Sequence, residues 1–213
     1  MDKLSCSFCD IKNILGDEEK VRQLPYFDRP IFSTSKLYFI QAKHRVVEGH
    51  TLLVTKQHYY SFSEVPNEEI DEILNDFSRV YASMAKLYKN VNVFEHGLAS
   101  ESPASCMEHA HLHFLPVTES VDHILARKFD LVSSHDTLQD AYKRLLPPYI
   151  LIKELNGKWK NYKIPDSIPG QYVCRLYLDA VGKSDKSWVN IIKNDMSYKK
   201  TWELLKGYIN EEK

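Results

Sequence analysis

Long apolar runs are missing from this chain: no stretch of 18 apolar residues occurs, so no membrane-spanning helix is expected. A signal-peptide core is missing as well. The opening Met1-Asp2-Lys3-Leu4-Ser5-Cys6 has no apolar stretch, which makes a cytoplasmic location the expectation. Cysteine is scarce. The four residues Cys6, Cys9, Cys106 and Cys174 are too few for a disulfide scaffold, and in a reducing compartment they stay thiols. An excess of either charge is also absent: 28 Lys and Arg against 29 Asp and Glu give a net charge of −1, so no global basic field points to nucleic acid. No repeat, low-complexity tract or long linker interrupts the chain. What remains is an ordinary globular composition, 43% hydrophobic and 27% charged over 213 residues. That is enough for one compact domain with a real core, or one domain with a C-terminal extension.

The pattern along the chain is mixed. Cys6 to Arg22 is polar with a short helical pattern, and Ile31 to Gln41 reads as extended chain rich in aromatic and β-branched residues. Thr51-Leu52-Leu53-Val54-Thr55 reads as a strand buried on both faces. Asn67 can cap a long helix to about Tyr88, with Ile70, Ile73, Leu74, Phe77, Val80, Tyr81, Met84 and Leu87 at helical spacing. Val91 to Phe94 is a further strand, Leu98 to Met107 a polar loop, and His109 to Val117 another strand. Ser120–Lys128 and Thr137–Leu146 look helical, the second broken by Pro147-Pro148. Tyr149–Lys153 and Lys158–Tyr162 flank Asn156-Gly157, a hairpin signal. Helices over Gly170–Val181 and Ser197–Ile209 finish the chain. Without regular βαβ alternation, the class is α+β with a mainly antiparallel sheet.

The chemistry concentrates in His109-Ala110-His111-Leu112-His113-Phe114-Leu115-Pro116. On a strand, alternate residues share a face, so the three imidazoles point one way while Ala110, Leu112 and Phe114 point into apolar packing. Imidazole titrates nearest neutrality and can act as nucleophile, proton carrier or metal ligand. A second signal is Cys6-Ser7-Phe8-Cys9. Two thiols spaced in this way can grip zinc, but supply only half a tetrahedral site. The alternative is a pair of unrelated buried cysteines. Candidates for the missing ligands are His58 and one of the three row histidines.

Taken together, Cys-x-Phe-Cys, the stretch Glu48-Gly49-His50-Thr51-Leu52-Leu53-Val54-Thr55-Lys56-Gln57-His58 and the histidine row resemble the histidine triad (HIT) superfamily in residues, order and spacing, over roughly Cys6 to Val117. The resemblance implies a HIT-like antiparallel sheet with packed helices over residues 1–117 and an α/β C-terminal extension over 118–213. It also implies a nucleotide hydrolase or transferase acting at an α-phosphorus. His111 would attack phosphorus to form a nucleotidyl-histidine, with His113 and His50 contacting phosphate oxygens and ordering the network. Water would then release a nucleoside monophosphate from a dinucleoside polyphosphate or a nucleoside phosphoramidate. Cys6, Cys9, His58 and His109 would hold a structural zinc ion, a closed set with no open position. The expected partner is a nucleotide or dinucleotide, with no membrane or nucleic acid, and homodimers are common among members.

The sequence also departs from the family pattern. Where many members have Gly-Gln-Ser before the triad, Ser105 and Cys106 stand at the corresponding places, and a thiol donates poorly to phosphate. The acidic residue that holds ribose is replaced by Ala42. Lys43, His44 and Arg45 read either as a basic rim for phosphates or as a solvated loop. Cys106 reads as a redox-sensitive thiol or as a small loop residue, and His96 as a phosphate contact or as a loop histidine capping backbone groups. In the extension, Gln171 and Arg175 lie four apart, within a stretch resembling Ser-Gln-x-x-x-Arg of longer bacterial members. They are candidate substrate contacts, with structural pairing as the alternative. Three other functions stay open: a nucleotidyltransferase, a nucleotide-binding module without catalysis, and a metalloenzyme with all three row histidines on one open ion.

Overall fold

The computed structural model describes residues 6–98, 109–155, 157–165, 168–183 and 195–210. Eight strands form one antiparallel sheet: β1 (Phe32–Ser33), β2 (Leu37–Gln41), β3 (Thr51–Thr55), β4 (Asn92–Gly97), β5 (His111–Leu115), β6 (Asp130–His135), β7 (Tyr149–Lys153) and β8 (Trp159–Lys163), in the order β1-β2-β3-β5-β4-β7-β8-β6. With the helices packed on it this is an α+β fold, as the pattern implied. The extended stretch Ile31–Gln41 is a hairpin of two strands rather than one. Tyr149–Lys153 and Trp159–Lys163 pair as the hairpin expected around Asn156-Gly157, of which Asn156 lies outside the described residues.

The period of two along β5 sorts the residues by face. Ala110, Leu112 and Phe114 join Ile70, Ile73, Phe77, Val80 and Met84 of α3 (Asn67–Tyr88) in the main core. Each such fully buried aliphatic or aromatic side chain contributes about 1.5–3 kcal/mol over an exposed one. Helix α3 begins one residue earlier than a cap at Asn67 would place it: Pro66 holds the cap position, and Lys89 ends the helix at φ 64°. The glutamates Glu68 and Glu69 sit in the first turn, where the exposed N–H groups favour negative charge.

The opposite face carries two separate apolar clusters. Under α1 (Ser7–Ile14) lie Phe8, Ile11, Tyr38, Ile40, Leu52 and Val54. The Tyr38 hydroxyl donates to the Phe8 carbonyl at 2.9 Å and ties α1 down. Under α6 (Tyr172–Ala180) lie Phe94, Ile150, Ile152, Tyr162, Val173, Cys174, Tyr177 and Leu178. The histidine face of β5, with His111 and His113 both buried, runs between these clusters. Helices α2 (Glu18–Gln23), α4 (Asp122–Lys128) and α5 (Leu138–Tyr142) are short connectors. The last helix, α7 (Asp195–Asn210), returns to α3, where Leu205 and Ile209 enter the main core and Arg79 donates to the Ile209 carbonyl at 3.0 Å.

Two strands depart from the sequence pattern. β6 has no counterpart in it, because Asp130–His135 sits at a sheet edge with Leu131 and Val132 half exposed and buries no apolar face. β4 runs on to Gly97, three residues beyond the expected end, because β7 pairs along its outer side from Val93↔Lys153 to Gly97↔Tyr149. Gly97 is required there: a Cβ would stand 2.2 Å from the Tyr149 ring. Among the described residues, no helix is long and apolar enough to cross a membrane.

Candidate functional site

At the N-terminal side of β5, four expected ligands converge. The donor atoms of Cys6, Cys9, His58 and His109 all lie within 4.8 Å of one another. Cys6 Sγ is 3.3 Å from His109 Nδ1, and Cys9 Sγ is 3.3 Å from His58 Nδ1 and 3.7 Å from His109 Nδ1. Sulfur and nitrogen ligands on one tetrahedral zinc stand about 3.5 Å apart, given bond lengths near 2.3 and 2.0 Å. The chemistry of His109 fits too. Its Nε2 lies 2.7 Å from the Thr55 carbonyl, which only accepts, so Nε2 keeps the proton and Nδ1 turns a lone pair toward the thiols. Three elements meet here: α1 with its capping Cys6, the end of β3, and the lead-in to β5. Burial pushes the imidazole of His109 down to about 4, so it stays neutral at pH 7.

The next histidine is set differently. His111 Nδ1 lies 2.6 Å from the His109 carbonyl, so it carries the proton and Nε2 holds the free lone pair. No hydrogen bond ends on that Nε2 among the described residues. Phe8 meets the ring edge-on, with centroids 5.3 Å apart. Burial lowers the imidazole below its ordinary value, and the hydrogen bond to the His109 carbonyl opposes that shift.

A chain of directed hydrogen bonds fixes His113. The Val46 N–H donates to His50 Nδ1 at 3.1 Å, so the His50 proton sits on Nε2. His50 Nε2 lies 2.9 Å from His113 Nδ1 and donates to it, leaving the His113 proton on Nε2. Phe94 stacks on the His113 ring at 4.2 Å, with planes 7° apart. Burial, then the neighbouring His111, drives the His50 imidazole to about 3, and the same two causes hold His113 well below its ordinary range. All members are therefore neutral near pH 7, and each ring nitrogen has one assignable role.

Cys174 of α6 completes a second group with His50 and His113, with donor atoms within 4.8 Å. Its tautomers do not suit a metal. His50 would have to ligate through Nε2, which carries the proton because Nδ1 is already an acceptor for Val46. Nor do the three row histidines share one ion: His109 Nδ1 faces the thiols, His111 Nδ1 faces a carbonyl and His113 Nδ1 faces His50.

Other expected contacts fall elsewhere. Ser105 and Cys106 lie outside the described residues. Arg175 is exposed on the outer face of α6, its Nε donating to the Gly170 carbonyl at 3.3 Å. Gln171 is the left-handed cap of the same helix. The buried face of α6 is formed by Val173, Cys174, Tyr177 and Leu178. That apolar spacing was the available signal for Cys174. The basic stretch is also engaged: Arg45 stacks over the Tyr198 ring at 4.1 Å and donates to Ser197, and Lys43 lies over Phe27. Ala42 is buried, and the neighbouring Gln41 amide donates to the Tyr198 carbonyl at 2.8 Å. His96, read as belonging to a loop, is on β4.

Residues 28–130 match a protein-family model described as "Protein similar to CwfJ C-terminal". No curated protein matches the chain. Among solved structures, a hypothetical histidine triad nucleotide-binding protein from Sulfolobus tokodaii strain 7 is 17% identical. Its alignment covers 97% of this chain and 93% of that one, with a TM-score of 0.49. A histidine triad protein from Clostridium difficile is 24% identical over 54% of this chain and 92% of its own, with a TM-score of 0.39. A HIT family hydrolase from Clostridium thermocellum is 16% identical over 53% of this chain and 90% of its own, also at 0.39.

Proposed function

We propose that the chain is a histidine triad superfamily protein and that it hydrolyses nucleotide conjugates at the α-phosphate through a covalent intermediate on His111. The observation that carries this reading is the proton assignment. His111 Nδ1–H is held by the His109 carbonyl at 2.6 Å, so Nε2 keeps its lone pair, and the adjacent His113 presents an N–H on its own Nε2. A nucleophile and a donor thus stand side by side on one strand face, their ring centroids 4.7 Å apart.

In the first step His111 Nε2 forms a bond to the α-phosphorus while the bond to the leaving oxygen or nitrogen breaks. The leaving group departs with a proton taken from water, His113 Nε2–H hydrogen-bonds the phosphate oxygen on which charge develops, and the His109 carbonyl stabilises the Nδ1–H of the modified ring. Water then attacks phosphorus, loses its proton to solvent and expels His111, giving a nucleoside monophosphate. His50 acts as a positioning residue, holding His113 in the one tautomer that can donate. Fixed donors aimed at the developing phosphoryl charge are worth about 10²–10³-fold each. Cys6, Cys9, His58 and His109 would hold a zinc ion with no position left open, so its role would be structural: it would clamp α1 against the start of β5 and with it the His109 carbonyl.

Turnover of a dinucleoside polyphosphate and of a nucleoside phosphoramidate by wild type and by His111→Ala tests the reading. Loss of at least about 10³-fold in the variant is expected, together with a denaturation-stable nucleotidyl adduct on the wild type during turnover. Undiminished turnover by His111→Ala overturns the nucleophile. Running the assay with added inorganic phosphate separates hydrolysis from transfer, since both pass through the same adduct.

A further inference from the structure

His96 has no part in the relay just described, yet the fold delivers it to the same face of the sheet. Strands β4 and β5 pair through Phe94↔His113 and then part. Past that point β4 keeps only its ladder with β7, through His96↔Ile150 and Gly97↔Tyr149, while β5 continues along β3 through Val54↔His111. Alternation along β4 puts His96 on the same face as Phe94, which stacks on His113. The backbone gap between the strands is therefore flanked by His96 on one side and His111 on the other. His96 Nε2 is buried and has no hydrogen-bond partner among the described residues. A buried ring nitrogen left unpaired is costly, and native chains keep one chiefly where a ligand or water completes it. Burial, then the neighbouring His111, lowers the ring to about 4, so it is a neutral imidazole with one N–H to give.

We propose that His96 is a further substrate-binding residue, donating a hydrogen bond to a phosphate oxygen of the ligand in the gap between β4 and β5. The chemistry that would satisfy it is a group that only accepts, is anionic and is compact enough to enter between two strands beside His111; a phosphoryl group meets all three demands. This assignment rests on the reading that a phosphate reaches His111, and it adds a contact from a different strand. His113 reaches the phosphate along β5 and His96 from across the gap, so the anion is gripped from two directions.

The test is equilibrium binding of AMP, inorganic phosphate and adenosine to wild type, His96→Ala and His96→Asn. Nitrogen-15 imidazole spectra follow His96 during a phosphate titration. We expect His96→Ala to weaken AMP and phosphate about tenfold or more, as removal of a hydrogen bond to a charged group does, with adenosine unchanged. His96→Asn keeps a donor and should recover most of the loss, and the wild-type His96 ring resonances should move as phosphate is added. Unaltered AMP affinity in His96→Ala, or equal loss for AMP and adenosine, overturns the assignment. A wild type that prefers AMP to adenosine while His96→Ala does the same defeats only the His96 contact. A wild type that binds neither AMP nor phosphate defeats the hydrolase reading with it.

Discussion

Cys9 faces both imidazoles of the four-residue cluster, at 3.3 and 3.7 Å, so Cys9→Ser replaces the one thiol that touches each of them. If zinc binds the folded chain at a free concentration about a thousandfold above its dissociation constant, it adds about 4.1 kcal/mol to stability, provided the unfolded chain does not compete. In a chain of this length, 1 kcal/mol moves the melting midpoint by about 2–4 °C. Chelation of the wild type, or Cys9→Ser at the same metal level, should therefore lower the midpoint by about 8–16 °C. Metal analysis of the purified protein should give one zinc per chain, and X-ray absorption should find sulfur and nitrogen in equal number. Cys174→Ala is the control. Its neighbours His50 and His113 are locked as donor and acceptor to each other, so the variant should keep the full zinc complement. Nitrogen-only coordination, zinc retained by Cys9→Ser with no change in midpoint, or zinc lost from Cys174→Ala would refute the assignment.

Two further outcomes follow from buried groups. His50→Ala leaves the Val46 N–H without its acceptor and releases the tautomer of His113. We expect about 1–3 kcal/mol lower stability in urea unfolding and about 10²-fold lower kcat with little change in substrate affinity. Glu95 is buried on the other face, accepting from the Phe62 N–H at 2.8 Å and the Tyr149 hydroxyl at 2.6 Å, and desolvation raises its carboxyl to about 7. A carboxyl raised on folding costs stability once the unfolded chain ionises and the folded one does not. Glu95→Gln should thus add about 3 kcal/mol at pH 8 and less than about 1 kcal/mol at pH 5. The histidines tilt the pH profile the other way: with His50 near 3 and His96 near 4 when folded, the unfolded chain binds more protons below about 6.5. Their contribution is lost as pH falls from there toward 4. A Glu95→Gln curve parallel to wild type across this range would contradict the sign given to Glu95.

Periodicity carried most of what could be read without coordinates. Ala110, Leu112 and Phe114 alternate with histidines, and the α3 positions from Ile70 to Met84 recur at helical spacing, so both elements and their buried faces followed from the pattern. Thr51–Thr55 is the strand that its apolar run implied. The pattern failed where an element is defined by its neighbours. β6 buries nothing apolar and exists because β8 offers it an edge, and β4 reaches His96 and Gly97 because β7 lies alongside. The family likeness grouped Cys6, Cys9, His58 and His109, but it could not assign the protons of the histidines. Those assignments depend on the Thr55 and His109 carbonyls and the Val46 N–H, and backbone groups are the same in every sequence. On α6, the candidates Gln171 and Arg175 came from the likeness to a Ser-Gln-x-x-x-Arg stretch and their spacing of four, whereas the apolar face pointed to Cys174.

The extension changes what the first 117 residues can be. Without β7, the outer side of β4 would be a free edge next to the histidine face, open to another strand. Five residue pairs with β7 close it, and β8 and β6 then move the sheet's edge two strands further away. Strand-to-strand association through β4, one route to the homodimer implied by the family likeness, is therefore occupied from within the chain. The helical route is occupied too, because the apolar stripe of α3 packs on its own sheet and beside α7. The same segment supplies α6, whose Cys174 and Tyr177 back His50, His113 and Phe94 on the side opposite α1. The cluster of Cys6, Cys9, His58 and His109 with α1 thus flanks the histidine row on one side, and α6 flanks it on the other. The His50–His113 relay, buried against α6, depends on residues beyond 117 for the dry surroundings that keep both rings neutral.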